Sequence, residues 1–254
     1  MNLQLFFLNK RTTFVESQLK YSYKIKIVMV VLIIIVVAVA AWWFLSSHDS
    51  EATKIALKEK KRTDDQKKVI RYFLNDGCGA KRMKDSEYDS MVANVIRSID
   101  FKQRALNKIG LDESELQEVA PVSFQGYRFN KAWGRRGEDG KWRSSCFQVS
   151  WLFFSSTQVY LYQYTFNMDC DDKKESTDEY FYKDITNFST ASETEEVQTE
   201  WDKKAQIWKK ENVETSQFSL VVPGDKLYCA MEANEENERS IKGMKAKLRE
   251  KKGV

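Results

Sequence analysis

The sequence predicts an α+β protein behind a membrane-spanning helix, and three observations carry that class. Residues 27–45, IVMVVLIIIVVAVAAWWFL, run from Ile27 to Leu45 without a charge, a glycine or a proline. Between residues 51 and 109 apolar side chains recur at spacings of three and four, the period of a helix with one buried face. After Pro121 the period falls to two over several segments, then returns to helical spacing near the C-terminus. The expected order is an N-terminal transmembrane helix, a helical stalk and helical hairpin, then an antiparallel β-sheet closed by a C-terminal amphipathic helix.

The apolar run sets location. As a helix it would extend about 28 Å at ~1.5 Å per residue, close to the ~30 Å hydrocarbon core of a bilayer. Its Val and Ile residues disfavour an isolated helix in water, but in lipid every backbone polar group must be satisfied within the segment. Trp42 and Trp43 fall at the far end, where amphipathic rings favour the headgroup level, and Lys20, Lys24 and Lys26 can snorkel at the near end. Residues 1–26 form a basic leader whose one acidic residue is Glu16. Ala38-Val39-Ala40 resembles a signal-peptidase site, but the long leader and an apolar run that continues past it predict an anchor. Five basic residues flank each side: Lys10, Arg11, Lys20, Lys24 and Lys26 before, Lys54, Lys58, Lys60, Lys61 and Arg62 after. The first set lies closer to the span, which favours an external main domain.

Composition narrows the chemistry. The 254 residues carry 41 basic and 37 acidic side chains, a balance that falls short of a nucleic-acid binder, and no nucleic-acid partner is expected. The single histidine, His48, lies just past the span, which disfavours Ser-His-Asp, Cys-His and His-ligated metal sites. Cys78, Cys146, Cys170 and Cys229 are widely spaced with no CxxC; free thiols are expected, with a disulfide pair as the alternative. No cofactor or metal is expected.

Residues 46–76 read as a stalk helix, with eight basic and three acidic side chains between Lys54 and Arg71, and the glycines Gly77 and Gly79 mark a turn after it. In the helical region 77–120, Tyr88, Met91, Val92, Val95, Ile96 and Ile99 form one apolar face, and Phe101, Ala105, Leu106 and Ile109 continue it to a C′ glycine, Gly110. Asp112 with Glu115 resembles a capping box for a short helix that Pro121 stops.

Residues 121–254 form the β-rich domain. Val122, Phe124, Tyr127 and Phe129 suggest its first strand, and residues 133–140 read as an exposed hairpin loop. Arg135, Arg136, Lys141 and Arg143, interleaved with Trp133 and Trp142, are the candidate binding residues, because guanidinium forks match the oxygens of phosphate or an anionic headgroup. Residues 146–154 and 158–166 read as a hairpin whose aromatic rows pack across strands, with a base-stacking platform as the alternative. A strand over residues 179–185, a polar hairpin insertion at 191–215, a strand pair turned at Pro223-Gly224-Asp225, and a helix from 235 to 251 with Ile241, Met244 and Leu248 inward complete the chain.

The order of STQVYLYQY, YFYKDITNFST, FSLVVPGDKLY and SIKGMKAKLREK over the last hundred residues resembles a bacterial pleckstrin-homology-like domain related to the GRAM type. That resemblance implies a strongly bent antiparallel sheet capped by the C-terminal helix, usually facing the cytoplasm and docking lipid or protein without catalysis. The chain departs from the pattern in the insertion at 191–215 and lacks a dense basic cluster in the domain's first interstrand loop, so no lipid-contacting residue is carried over. The expected function is a single-pass, non-enzymatic interaction protein with a membrane-proximal protein or lipid partner. The alternatives are a type II anchored extracytoplasmic sensor or envelope protein, and a hydrolase working through carboxylates alone.

Overall fold

The computed structural model describes residues 23–42, 49–75, 82–116 and 120–253. Most of the leader, residues 43–48 with His48, the turn at 76–81, residues 117–119 of the short helix after Asp112, and the side chain of Glu115 lie outside the described residues. The chain divides into two units, the N-terminal one holding a single described element.

That element is helix α1, Tyr23–Trp42, 20 residues with mean hydropathy 3.0 and no buried side chain. It is long and apolar enough to cross a membrane, as the run of Val and Ile demands.

The second unit has three layers around sheet A, whose strands β1 (Val122–Arg128), β4 (Cys146–Phe154), β5 (Gln158–Asn167) and β6 (Lys173–Phe181) pair antiparallel in the order β1-β4-β5-β6. Alternation along β4 explains the layering. Phe147, Val149 and Phe153 face one way, Leu152 and Phe154 the other, and Tyr160, Tyr162, Tyr164 and Phe166 of β5 join the first set. The registers Phe147↔Phe166, Val149↔Tyr164, Trp151↔Tyr162 and Phe153↔Tyr160 make these aromatic rows cross-strand neighbours.

Helices cover the rows. The sequence reads one solvated stalk through residues 46–76, but the chain forms two helices, α2 (Glu51–Glu59) and α3 (Asp64–Leu74), and packs them into the core. Thr63 breaks the run: its side chain accepts from the Gln66 N–H while Gln66 reaches back to the Thr63 N–H, a capping box that starts a new helix. Val69, Ile70, Tyr72 and Phe73 are buried. Ser50 fastens the start of α2 to the end of α3, its N–H donating to Asn75 Oδ1 at 2.9 Å and its hydroxyl to the Leu74 carbonyl at 2.8 Å. Arg62, in the link, is buried and donates to the Asp169 carbonyl at 2.8 Å and to its carboxylate at 3.2 Å, tying the helices to the β5–β6 turn.

Helices α4 (Asp85–Ser98) and α5 (Phe101–Ile109) complete this layer as the expected hairpin, ended by Gly110 at φ 81°. Tyr88 stacks on Tyr72 with ring centroids 4.7 Å apart and donates to the Ser144 carbonyl at 2.6 Å.

The opposite face of sheet A meets sheet B, strands β7 (Asn187–Asp202), β8 (Ile207–Val222) and β9 (Asp225–Ala230) in the order β7-β8-β9, together with helix α6 (Glu235–Lys252). Phe124, Leu152, Phe154 and Leu161 from sheet A pack with Phe188, Phe218, Leu220 and Cys229 from sheet B, and Ile241, Met244 and Leu248 of α6 close the layer. Gly126 allows the close approach: a Cβ there would meet the backbone of Ala230 and Met231 at 3.1 to 3.3 Å. A small hairpin, β2 (Gly134–Arg136) with β3 (Trp142–Ser144), interrupts the path from β1 to β4.

The bounds of one strand differ from the sequence reading. β6 starts at Lys173, ahead of the expected strand, because its alternating charges suit a sheet edge, where they oppose further pairing. The polar insertion forms the expected hairpin: β7 and β8 pair through it, with one irregularity between Gln198 and Trp201.

Candidate functional site

The structure separates the six residues that the sequence nominates. Trp133 is buried and packs edge-on against Trp208 at 4.5 Å, and Trp142 sets its edge on Phe129 at 6.4 Å. The Arg143 side chain is 6% exposed and lies 2.7 Å from Asp89 and 2.9 Å from Asp139, with Asp85 at 3.8 Å. Arg135 donates to the Tyr72 carbonyl at 3.0 Å and lies over the Tyr72 ring. Arg136 and Lys141 are exposed, and Arg136 donates to the Gly140 carbonyl at 3.0 Å to close the hairpin tip. Four of the six therefore serve packing or internal ion pairing, and two point to solvent.

A different group of cations converges at the end of sheet A where β1 leaves and β6 begins. There a cleft of about 610 Å³ is lined by Arg128, Lys131 and Lys174, with the polar side chains of Asn130, Gln148, Gln163, Thr165, Ser176 and Tyr228 and the thiol of Cys146. The lining holds three cations and no carboxylate. Pairing brings it together, since Arg128 sits opposite Cys146, Cys146 opposite Asn167, Gln148 opposite Thr165, and Thr165 opposite Lys174.

Its floor is held rigidly. Gln148 donates to Thr165 Oγ1 at 3.2 Å and accepts the Ala230 N–H at 2.8 Å, while Gln163 donates to the Tyr228 carbonyl at 2.7 Å. These bonds satisfy polar groups on the same sheet face that carries Leu152 and Phe154 further along, so one end of the inter-sheet space is polar and the other apolar.

Glu195 of β7 positions the rim. It accepts the N–H groups of Phe129 and Asn130 at 2.7 and 3.0 Å and the Gln217 side-chain N–H at 2.9 Å, and it lies 3.5 Å from Arg128. Arg128 is thus partly compensated from outside the lining. Lys131, at φ 59°, takes the left-handed conformation that turns the chain after Asn130. Neither Lys131 nor Lys174 lies within ion-pair distance of a carboxylate among the described residues. Asp178, further along β6, has its carboxyl pushed above the usual range by burial, with Asp225 adding to the shift.

The thiol in the lining is suited to packing. Burial pushes Cys146 up to about 12, so at neutral pH it is a protonated thiol and a poor nucleophile. Among the described residues no three His, Cys, Asp or Glu side chains form a group that could hold a metal ion. The arrangement can take up an anionic group through ammonium and guanidinium donors backed by amide and hydroxyl groups.

The cations of the cleft come from two stretches distant in sequence, residues 128–131 and Lys174, so no single run of the chain displays it. A signal was nonetheless present: Cys146, Gln148 and Ser150 alternate with the aromatic row on β4, and Gln163 and Thr165 do the same on β5, marking inward positions that are not apolar. No family model matches the chain, and no significant match was found among the curated proteins or the solved structures.

Proposed function

We propose that this chain is a membrane-anchored, non-enzymatic docking protein whose C-terminal pleckstrin-homology-like domain binds an anionic, phosphate-bearing group in the cleft between Arg128, Lys131 and Lys174. The observation that carries the reading is a lining of three cations without a carboxylate, on a floor of hydrogen-bonded glutamines. A meander of four strands, a meander of three and a C-terminal helix supports the pleckstrin-homology-like assignment, with the β2–β3 hairpin and the long β7–β8 hairpin as additions. A cleft open to solvent and fastened to a bilayer by α1 needs only weak intrinsic affinity, because tethering raises the effective concentration of membrane-proximal ligands.

The test uses the full-length chain in phospholipid nanodiscs. Binding of a soluble inositol polyphosphate and of discs containing phosphatidylserine is compared between the native chain, Lys131→Ala/Lys174→Ala and Arg136→Ala/Lys141→Ala. Loss in the first variant and retention in the second supports the cleft, and the preferred probe separates a soluble ligand from a lipid headgroup. The reverse pattern moves the site to the β2–β3 tip, and absence of binding at low salt to either probe removes the anion-docking reading. The resemblance also favours a cytoplasmic domain, whereas the lysines close to the near end of the span favour an external one. A topology reporter fused after Val254 decides between them.

A further inference from the structure

The β7–β8 hairpin ends in a tip that its own fold does not cover. Beyond the irregularity after Gln198, Trp201 pairs with Trp208 and Asp202 with Ile207. The turn is firmly built: the Asp202 carboxylate accepts the N–H groups of Lys204 and Ala205 at 2.9 and 3.1 Å, and Gln206 adopts φ 56°. Its base is equally fixed, with Trp208 edge-on to Trp201 at 5.0 Å and to buried Trp133 at 4.5 Å. Residues 203–207 are all exposed. Ile207 is 59% exposed, and in this unit only Ile207 and Phe181 are exposed large hydrophobic residues among those described.

The tip is attached beside the residues through which the chain enters this unit. Lys203 Nζ lies 3.0 Å from the Glu51 carboxylate, at the first turn of α2. Glu51 is nine residues past Trp42, the last described residue of the apolar helix, and nine extended residues reach at most about 30 Å. Between residues 200 and 210 there are four lysines against Glu200 and Asp202. Lys209 and Lys210 pair with Glu200 and Glu196 and Lys203 with Glu51, leaving Lys204 at the turn beside Ile207.

We propose that this tip is a second membrane contact, in which Ile207 enters the boundary between headgroups and acyl chains of the bilayer that holds α1 while Lys204 meets a lipid phosphate. The proposal rests on α1 being an anchor. A rigid hairpin with an apolar residue between cations has the chemistry of an interfacial element, and the covalent link to the span supplies the local concentration that one inserted side chain lacks by itself. Attachment at two points would fix the orientation of the domain on the membrane, since β7 carries both the tip and Glu195 at the cleft rim.

The full-length chain with Cys78→Ser, Cys170→Ser and Ala205→Cys is labelled with a polarity-sensitive fluorophore and reconstituted into phosphatidylcholine–phosphatidylserine vesicles containing a headgroup spin-labelled lipid. Quenching and a blue shift are expected at position 205, none with the label at Glu214→Cys, and at least about a twofold loss of quenching when Ile207→Asp is added. Circular dichroism and resistance to alkaline carbonate extraction verify that each variant is folded and integrated. An integrated chain with no quenching at 205 overturns the tip contact alone. Release of the chain by carbonate overturns the anchor and, with it, this proposal.

Discussion

Arg143 grips Asp89 through both oxygens, Nε to Oδ1 at 2.7 Å and Nη2 to Oδ2 at 2.8 Å, while Nη1 reaches Asp139 Oδ1 at 2.9 Å. One buried guanidinium therefore locks α4 to the β2–β3 hairpin, and the two carboxylates hold it well above the usual guanidinium range. Removing it would leave Asp85, Asp89 and Asp139 close together without their shared cation. Arg143→Ala is expected to cost about 2–4 kcal/mol, reduced from the value for a fully buried pair because Asp89 and Asp139 are partly solvated. Arg136→Ala, at the exposed tip, should change stability by less than about 0.5 kcal/mol. Urea unfolding of both variants checks the contrast, and equal effects would place Arg143 at the surface.

Gly134 and Val197 pose a sharper steric question. A Cβ on Gly134 would overlap the Val197 methyl groups, where β2 crosses β7 beside the Trp133–Gln198 bridge. Gly134→Ala should destabilise by about 1–3 kcal/mol through overpacking. Adding Val197→Ala makes room, so the double variant should be more stable than additivity allows, by at least about 0.5 kcal/mol. Strict additivity in thermal and urea melts would mean that the two residues do not touch.

The strands could be read where alternation had only one explanation. Phe147, Val149 and Phe153 on β4 against Tyr160, Tyr162 and Tyr164 on β5 predict a hairpin with aromatic rows packed across its strands, and Pro223-Gly224 marks the turn into β9, with Gly224 at φ 85°. Helix amphipathicity is less informative, because the apolar stripe of α3 announces a buried face without naming what buries it. Hence a core element reads as a stalk. The cleft is less legible: Arg128 and Lys131 are three residues apart, but Lys174 joins them only through strand register, which no local spacing encodes. The basic residues that cluster in sequence lie instead at 135–143, and there the structure uses Arg143 internally.

Acid sensitivity should centre on Glu175. Arg104 donates to both its oxygens at 2.8 and 2.9 Å and the Tyr162 hydroxyl donates at 2.8 Å, which lowers its carboxyl from the usual 4.5 to about 2. A folded-state value below the unfolded one stabilises the protein above pH 4.5, and that stabilisation is lost as pH falls through the interval down to about 2. Because the Arg104 side chain is 45% exposed, solvent screening limits the effect to about 1 kcal/mol or less. Glu175→Gln should flatten the stability profile across this interval while lowering stability at pH 7. A profile identical to that of the native chain would show that Glu175 titrates as an exposed carboxylate.

The thiols provide a direct test of the core. Cys146, Cys170 and Cys229 are free and buried, and burial pushes Cys146 and Cys229 from the usual 9.0 up to about 12. The thiolate is the reacting species, so a rise of that size alone lowers reactivity about a thousandfold below pH 9, before access is considered. Cys170 is also raised by burial, but Lys60 lies 3.6 Å from its sulfur and opposes the shift. In a Cys78→Ser chain, a disulfide-exchange reagent at pH 8 should therefore label Cys170 first and Cys146 and Cys229 only as fast as the domain opens, whereas denaturant should release all three at once. Fast native labelling of Cys229 would contradict the packing of sheet B and α6 onto sheet A, because that sulfur lies in the layer between them.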